Sequence, residues 1–344
     1  MNNGAIRESK LANTSMFSFF RSTLARRAVR DEGLKDMAKS PQCAPVPKSK
    51  ASAHPPSESM KATPPPAPPT RFSSVNKAVA THEEHPTMHY SVEGAWLCHT
   101  GKVRRANEDA CLAGGEFSGA SSEEATAISV ASGPWIVAVS DGIGGHLGGA
   151  EASREVVRGL AECPRVTPHS ISDILQRLNR RLCERGRKEA EFAAMGATVA
   201  GIGCGGRGLF AFNVGDSRVY RLHGDRLAQL TRDDSEAEDL IDQGLLERNE
   251  GARPGFLHAL TQAIGGREEV IDIETHVHPL HADKPTRYLI CTDGLTDMVI
   301  TRDIERIMVA KHNAKAATTA LFEKAMAAGG VDNITVAVIE IAKR

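Results

Sequence analysis

Hydrophobic and polar positions follow two different periods between about residue 90 and residue 341. Short apolar runs rich in β-branched residues and bounded by Gly, Asp or Ser predict buried strands. We expect such strands at Ala95–Thr100, Trp135–Ser140, Thr198–Cys204, Gly208–Val214, Arg218–Leu222, Tyr288–Thr292 and Ile334–Ile339. Because several strands follow one another between residues 198 and 230, the pattern predicts stacked sheets covered by helices rather than regular βαβ alternation.

Helical periodicity fills the stretches between these strands. Apolar residues at positions 171, 174, 175, 178 and 182 share one helical face. Ser170, just before them, is a residue type that can cap a helix. Similar patterns predict helices at Glu151–Ala161, Arg302–Lys311 and Ala314–Ala327, and Gly329-Gly330 would end the last of these. We therefore expect a single folded domain over residues 89–344.

Residues 1–88 differ from the rest of the chain in composition. Ten of the 17 prolines lie between Pro41 and Pro69, mixed with Ala, Ser and Lys. Such a segment cannot bury enough apolar surface to offset its chain entropy, which predicts a disordered tail and linker. Phenylalanines and arginines between Phe17 and Arg30 leave open an amphipathic docking helix, but their irregular spacing favours an unstructured basic tail.

The overall composition excludes several classes of function. The 42 basic and 43 acidic residues give a net charge of −1, so nothing draws the whole chain to nucleic acid or anionic membrane. Seven cysteines without a C-x-x-C pair favour free thiols in a reducing compartment over zinc sites or disulfides. No apolar run approaches the ~18 residues of a transmembrane helix, and no signal-peptide pattern is found. We expect a cytoplasmic protein and a monomer.

Acidic residues mark the junctions of several predicted strands with loops. They are Glu108, Asp109, Asp141, Asp216, Asp293 and Asp332. A single Asp-Gly pair is more often a turn than a ligand. Several carboxylates at strand ends are better explained together, because closely spaced carboxylates repel one another unless divalent cations neutralise them. Ligands that are all oxygen atoms favour Mg²⁺ or Mn²⁺ over zinc.

Such a site suggests phosphoryl transfer to water. Carboxylate-bound metal pairs, typically ~3.5–4 Å apart, generate hydroxide at neutral pH and hold a phosphoryl group during in-line displacement. A cation for the phosphate oxygens is also needed, and Arg104 is the candidate because its planar guanidinium suits phosphate. Arg105 beside it is interpreted as a solvated surface charge. Neither G-x-S-x-G nor G-x-x-x-x-G-K-[S/T] occurs, so serine-nucleophile chemistry and a nucleotide P-loop are not supported.

Eight short motifs follow one another along residues 92–342. They are Gly101-Lys102-Val103-Arg104-Arg105-Ala106-Asn107-Glu108-Asp109, Asp141-Gly142-Ile143-Gly144-Gly145-His146, Gly196-Ala197-Thr198, Val214-Gly215-Asp216-Ser217-Arg218, Leu230-Thr231-Arg232-Asp233, Leu260-Thr261-Gln262-Ala263-Ile264-Gly265-Gly266, Thr292-Asp293-Gly294-Leu295-Thr296-Asp297 and Asp332-Asn333-Ile334-Thr335. In this order they resemble the motifs of the metal-dependent protein phosphatases of type 2C, above all the bacterial members. The resemblance implies an α+β fold, a four-layer α-β-β-α sandwich of two antiparallel sheets flanked by helices.

The same resemblance implies a hydrolase that acts on phosphoserine and phosphothreonine in proteins. Hydroxide bridging two Mn²⁺ or Mg²⁺ ions would attack the phosphorus, and bacterial members hold a third, weaker metal. The implied partners are phosphorylated proteins and a Ser/Thr kinase that the enzyme opposes in bacterial signalling. The alternative is a regulatory module that binds a partner through the phosphatase fold with little turnover, against which the complete set of acids argues.

Position by position, the resemblance assigns a role to each acid of the main centre. Asp141 would be catalytic and bridge the two metals. Asp293 and Asp332 would complete the shell of the first metal. Glu108 and the Gly142 carbonyl would serve the second.

The remaining roles lie around this centre. Asp109 would be an outer ligand, and Asp216 and Asp297 would hold the third metal. Arg104 would be catalytic and grip the phosphate. The charged, helix-like segment from Asp233 to Arg253 would form a flap that contacts the substrate.

Two positions depart from the family pattern. Ile143 stands where eukaryotic relatives carry a histidine that is often assigned as the acid for the leaving group. That proton must then come from metal-bound water or another group. Gly196-Ala197-Thr198 replaces a Gly-Thr-Thr element, a change that we expect to lie near the core and away from the metal ligands.

Overall fold

Residues 89–145, 147–206, 208–248 and 259–344 are described by the computed structural model. They all belong to one compact unit. The predicted disordered tail at 1–88 and the end of the predicted flap at 249–253 lie outside the described residues.

Two antiparallel sheets form the centre of the fold. The first sheet contains β1 Tyr90–His99, β4 Thr126–Val130, β9 Arg218–His223, β10 Arg226–Gln229, β13 Thr286–Cys291 and β14 Ile334–Lys343. Its strand order is β10-β9-β13-β14-β1-β4. The register places Cys291 of β13 opposite Val336 of β14, so the last residues of β13 lie beside the first residues of β14.

The second sheet is built around β5 Trp135–Ile143. Its other strands are β2 Asp109–Ala113, β3 Glu116–Ser118, β6 Gly196–Ala197, β7 Val199–Gly205, β8 Gly208–Val214, β11 Ile264–Gly265 and β12 His276–Leu280. The order along the sheet is β11-β6-β5-β7-β8-β12, and the β2–β3 hairpin joins it through β5.

Helices cover the outer faces of both sheets. The second sheet is covered by α1 Leu147–Ala161 and α2 Pro168–Lys188, and the first sheet by α4 Asp293–Thr296, α5 Thr301–Ala310 and α6 Ala314–Ala327. The short helix α3 Glu236–Asp242 lies in the predicted flap and contributes no residue to these cores. A single 3₁₀ turn, Ala190–Phe192, follows α2. In the part of the chain described, no helix is long and apolar enough to cross a membrane.

Alternation along the strands produces the layers. In β5, Trp135, Val137 and Val139 pack into the core between the sheets, while Ile136 and Ala138 pack on the other face with α1 and α2. Side chains of β14 alternate in the same way between the inter-sheet core and a third core under α4–α6. The predicted four-layer α-β-β-α sandwich is therefore confirmed.

Two details of the helices differ from the prediction. Helix α1 begins at Leu147 rather than near Glu151. Helix α2 is capped by Thr167, not by Ser170: the Thr167 hydroxyl accepts from the Ser170 backbone N–H, and the Ser170 side chain bonds back to the cap. This reciprocal capping box starts the helix three residues earlier, at Pro168, whose fixed φ suits a first turn.

Candidate metal centre

Asp141 and Asp109 lie side by side on neighbouring strands of the second sheet. The predicted strand ended at Ser140, but β5 continues to Ile143, so Asp141 lies within the strand. In the antiparallel register Asp109 of β2 is directly opposite Asp141. Directly opposed residues project to the same face, which brings the two carboxylates together. Asp109 is only 1% exposed.

The first sheet contributes two more acids, one just after β13 and one just before β14. Asp293 is the first residue of α4, immediately after β13 and Thr292. Asp332 lies two residues before β14. Asp293 and Asp141 lie close enough for the charge of Asp293 to be the largest charge effect that raises the pKa of Asp141. The structure thus brings acids from both sheets to one place, although they are up to 223 positions apart in the chain.

Asn333 fastens the loop that carries Arg104 and Glu108. Its side-chain oxygen accepts from the Glu108 backbone N–H at 2.9 Å, and its amide donates to the carbonyls of Thr100 and Ala106 at 2.9 Å each. Asn333 therefore joins both ends of this loop to the segment of Asp332.

Glu108 and Gly142 meet at the start of α1. A Cβ on Gly149 would overlap Glu108 Oε2 and lie 2.8 Å from the Gly142 carbonyl oxygen. A Cβ on Gly142 would in turn overlap the Gly149 carbonyl. The absence of side chains at both glycines thus leaves room for the Glu108 carboxylate and the Gly142 carbonyl to converge. The positive end of the α1 dipole also favours an anionic group at this place.

Desolvation and mutual repulsion raise the pKa values of Asp109, Asp141 and Asp293. Burial, followed by the charges of Asp293, Asp109 and Asp332, raises the pKa of Asp141 well above its usual value. Burial and the charges of Asp293 and Asp332 raise the pKa of Asp109 to about 8, against hydrogen bonds that lower it. Burial and neighbouring acids raise the pKa of Asp293 to about 7. These shifts have the cause expected for carboxylates collected without a compensating cation.

Arg104 reaches the same cluster. Its Nη2 donates to Asp332 Oδ2 at 2.6 Å. Partial burial lowers the pKa of Arg104, but the charges of Asp332, Glu108 and Asp141 raise it more, so the guanidinium stays charged. The predicted phosphate-binding arginine thus lies among the predicted metal ligands.

Asp216 and Asp297 extend the cluster on its other side. Asp216 lies in the turn between β8 and β9. Burial and the charges of Asp293, Asp233 and Asp297 raise its pKa well above the usual range, while Arg218 opposes the shift. Asp297 is also the strongest charged neighbour of Asp293. The two acids predicted for a third metal are therefore close to the main centre.

The residues present fit divalent metal ions. Within residues 89–145, 147–206, 208–248 and 259–344, no three Asp, Glu, His or Cys side chains already surround one point as a finished metal shell. However, Asp109 Oδ1 and Asp293 Oδ1 are buried without a hydrogen-bond partner. The charges of Asp293, Asp109 and Asp332 also raise the pKa of Asp141, a repulsion that a cation would offset. An all-oxygen donor set of this kind suits Mn²⁺ or Mg²⁺.

Sequence reasoning missed side chains that hold the acids in place. Thr198 donates its backbone N–H to the Asp141 carbonyl at 2.8 Å, and its hydroxyl accepts from the Asp141 N–H at 3.2 Å. Ala197 is the register partner of Gly142. The expectation that Gly196-Ala197-Thr198 lies away from the ligands is therefore wrong. The signal was that Gly196-Ala197-Thr198 is itself one of the eight motifs, but its pairing with the strand of Asp141 is not visible in one sequence.

The described part of the predicted flap is tied to the first sheet. Asp233 accepts a bidentate bond from Arg218, with Nη2–Oδ2 at 2.6 Å. The Ser235 hydroxyl caps α3 by accepting from the Glu238 N–H. Arg232 donates to Asp239 at 2.8 Å and to Asp242 at 2.7 and 2.9 Å. The segment therefore begins at a buried anchor beside Asp216 and continues as a short charged helix.

Comparisons with known proteins agree on one family. A family model described as Protein phosphatase 2C matches residues 116–328. The serine/threonine phosphatase stp of Listeria innocua is 29% identical over 249 residues, covering 70% of this chain and 92% of that protein. The serine/threonine protein phosphatase PstP of Mycobacterium tuberculosis is 31% identical over 220 residues, covering 62% of this chain and 41% of that protein.

A solved structure extends the similarity to three dimensions. The catalytic domain of PstP, in complex with two manganese ions, superposes with a TM-score of 0.60 at 26% identity and covers 74% of this chain and 99% of that one. The span matched by the family model includes Asp141, Asp216, Asp293 and Asp297. Arg104, Glu108, Asp109 and Asp332 lie outside it, and the fold alone brings them to the same cluster.

Proposed function

The chain belongs to the protein phosphatase 2C family, and we propose that its carboxylate cluster is the centre at which phosphoserine and phosphothreonine are hydrolysed. The protein is a metal-dependent serine/threonine protein phosphatase. The observation that carries the proposal for the site is the cluster of acids drawn from both sheets, in which desolvation and mutual repulsion raise the pKa values of Asp109, Asp141 and Asp293.

We assign the metal-holding roles to the residues that converge there. Asp141, whose pKa is raised by the charges of acids from both sheets, would contact both metals. Asp293 and Asp332, from the first sheet, would hold one metal. Glu108 and the Gly142 carbonyl, which meet beside Gly149, would hold the other. When bound, Mn²⁺ or Mg²⁺ neutralises the acids, activates water at neutral pH and polarises the phosphoryl oxygens.

Three further acids would complete the centre. Asp109 offers its buried, unpartnered Oδ1. Asp216 and Asp297 would form a third, weaker site, supported by their charge interaction with each other and with Asp293.

Arg104 would bind the phosphoryl group. A guanidinium has five donors, and the bond to Asp332 occupies only part of this capacity. The remaining donors can orient phosphate oxygens and offset the charge that develops on them during displacement. Ile143 has no proton that it could donate, so the proton for the leaving serine or threonine oxygen would come from bound water or another group.

The substrates are phosphorylated proteins, and we propose that the enzyme opposes a Ser/Thr kinase in the bacterial cytoplasm. All six cysteines in the described ranges are free thiols, which agrees with a reducing compartment. The flap from Asp233 would contact the protein part of the substrate, since its buried anchor lies beside Asp216.

Phosphate release from p-nitrophenyl phosphate and from a phosphothreonine peptide tests this proposal. We expect turnover with Mn²⁺, none in excess EDTA, and a loss of at least about 10³-fold in the Asp141→Ala, Asp293→Ala double variant, as when a metal site is removed. Asp272→Ala, which alters an exposed acid near Arg180, is the matched control and should keep full activity. Hydrolysis that survives EDTA or the double substitution would contradict the proposed centre, and negligible hydrolysis with every cation would favour a partner-binding module.

A further inference from the structure

The two oxygens of the Asp109 carboxylate have different environments. Oδ2 accepts a hydrogen bond from the Thr335 hydroxyl at 2.7 Å and another from the Thr292 hydroxyl at 2.9 Å. Oδ1 is buried and has no hydrogen-bond partner. The two threonines therefore fix the rotation of the carboxylate and leave one oxygen for another ligand.

These threonines also join the two sheets. Asp109 begins β2 of the second sheet, whereas Thr335 lies in β14 of the first and Thr292 follows β13. Thr335 and Thr292 are themselves bonded, because the Thr335 N–H donates to the Thr292 hydroxyl at 3.1 Å and the Thr292 N–H donates to the Thr335 carbonyl at 3.1 Å. Asp109 thus binds a preformed pair of threonines on the opposite sheet.

Cys98 completes the arrangement on the far side of Thr335. The Thr335 hydroxyl lies 3.1 Å from Cys98 Sγ. A hydroxyl has one proton, and the carboxylate is the stronger acceptor for it. The thiol of Cys98 donates its own proton to the Asp109 backbone carbonyl at 3.9 Å. The hydroxyl is therefore held in the orientation that serves Asp109.

The position of this bridge relates it to the metal ligands. Asp109 is directly opposite Asp141 in the register, and Thr292 immediately precedes Asp293. The distance between the Asp141 and Asp293 carboxylates depends on how far apart the two sheets lie at this point, because each sheet supplies one of them. The hydrogen bonds from Thr292 and Thr335 to Asp109 therefore connect the sheets close to proposed ligands on both sides.

We propose that Thr292 and Thr335 are positioning residues for the metal centre: they hold Asp109 to the first sheet, set the spacing of the ligands from the two sheets, and turn Asp109 Oδ1 towards the metals. This role rests on the proposed function. It goes beyond fold stability, because a buried hydrogen bond that only stabilises the fold would not change metal affinity in a folded variant.

Thr292→Val and Thr335→Val test the positioning role. Valine keeps the shape of threonine and removes the hydroxyl. At Thr292 no helix cap is lost, because this side chain makes no capping hydrogen bond to α4. In the metal-stripped full chain, calorimetric titration with Mn²⁺ should show affinity about 10- to 100-fold weaker for each variant, the usual effect of removing an outer-shell partner. The serine variants retain the hydroxyl and should bind Mn²⁺ within about threefold of wild type.

Thr318→Val is the matched control. Thr318 is also fully buried, and its hydroxyl donates to the Ala95 carbonyl of the same sheet at 3.1 Å. It should lower the melting temperature without changing Mn²⁺ affinity. In addition, the kcat of the Thr292 and Thr335 variants should fall at limiting Mn²⁺ and recover at saturating Mn²⁺, which a purely structural defect would not produce.

The outcomes separate the two levels of the proposal. A wild-type protein that binds no Mn²⁺ would overturn the proposed metal centre and the positioning role together. Normal binding by wild type, with folded Thr292→Val and Thr335→Val variants unchanged, would overturn the positioning role alone. The positioning role would also be overturned if Thr318→Val, or the serine variants of Thr292 and Thr335, weakened Mn²⁺ binding as much as Thr292→Val and Thr335→Val do. If one valine variant fails to fold, the other provides the same test.

Discussion

The Arg104 side chain interacts with more than one acid of the proposed metal centre. Its guanidinium contacts Asp332, a proposed ligand of the first metal, at 2.6 Å. Its positive charge lowers the pKa of Asp293, and the charge of Asp141 in turn helps to raise the pKa of Arg104. A cation at this place can link substrate phosphate to the metal ligands, because its planar fork presents several donors in fixed directions.

Arg104→Lys should therefore be harmful although it keeps the charge. A lysine ammonium cannot bridge phosphate and Asp332 with the same geometry, so we expect KM for p-nitrophenyl phosphate to rise about tenfold, with a smaller fall in kcat. Steady-state kinetics at saturating Mn²⁺ measure this. Arg105→Lys, at the exposed neighbouring position, should leave both constants unchanged. An unaltered KM in Arg104→Lys would exclude phosphate binding by this residue.

At the scale of elements, the site depends on where strands and helices begin and end. The start of β2, the start of α4 and the segment before β14 each supply acids. The start of α1 supplies two glycines in place of side chains, so that Glu108 and Gly142 can approach each other. Helix α3 is different, because polar bonds of partly exposed side chains hold it, and these bonds are individually weak.

Arg232→Ala should loosen α3 and affect protein substrates selectively. This substitution removes the bonds to Asp239 and Asp242. If the flap contacts the protein part of the substrate, KM for a phosphothreonine peptide should rise about threefold, as is common when a loop beside an active site is loosened. Kinetics with p-nitrophenyl phosphate should stay the same, since that substrate has no peptide. Arg226→Ala, in β10, is the surface control, and equal effects on both substrates would argue against a flap.

At the scale of the whole molecule, the acid cluster links stability to pH and to metal. The folded, metal-free protein raises the pKa of Asp109 to about 8 and of Asp293 to about 7, whereas an unfolded chain has aspartate pKa values of about 3.9. Between these values the folded state keeps protons that the unfolded state has released. Its stability must then fall as pH rises through this range. The raised pKa of His276, caused first by its bond to Asp234, acts in the same direction.

We therefore expect the metal-free protein to melt at a lower temperature at pH 8 than at pH 5.5. The difference should correspond to several kcal/mol, because one pKa unit is about 1.4 kcal/mol. Mn²⁺ binds deprotonated carboxylates, so saturating Mn²⁺ should raise the melting temperature most at pH 8. Calorimetry with and without EDTA measures both effects. Asp293→Asn should reduce the pH dependence, and a metal-free protein that grows more stable towards pH 8 would contradict this account.

The sequence by itself determined the layers and the chemistry of this protein. The apolar runs predicted the buried strands, and clustered strands between residues 198 and 230 predicted stacked sheets covered by helices, because burial of apolar side chains is a local pattern with a fixed period. The acids at strand junctions pointed to a divalent metal, because like charges gathered in a core need neutralisation. Both the apolar pattern and the acids at strand junctions can be recognised from residues that are close together in the sequence.

The tertiary structure alone decided how these acids are held. The pairing of Asp109 with Asp141 follows from strand register, and the bonds of Asn333 and the two threonines join segments more than 180 positions apart. The cap of α2 was likewise misassigned to Ser170, since Thr167 and Ser170 are both good capping residues and only backbone geometry selects between them. One sequence gives the type of each side chain, whereas register and long-range hydrogen bonds arise only when the two sheets pack together.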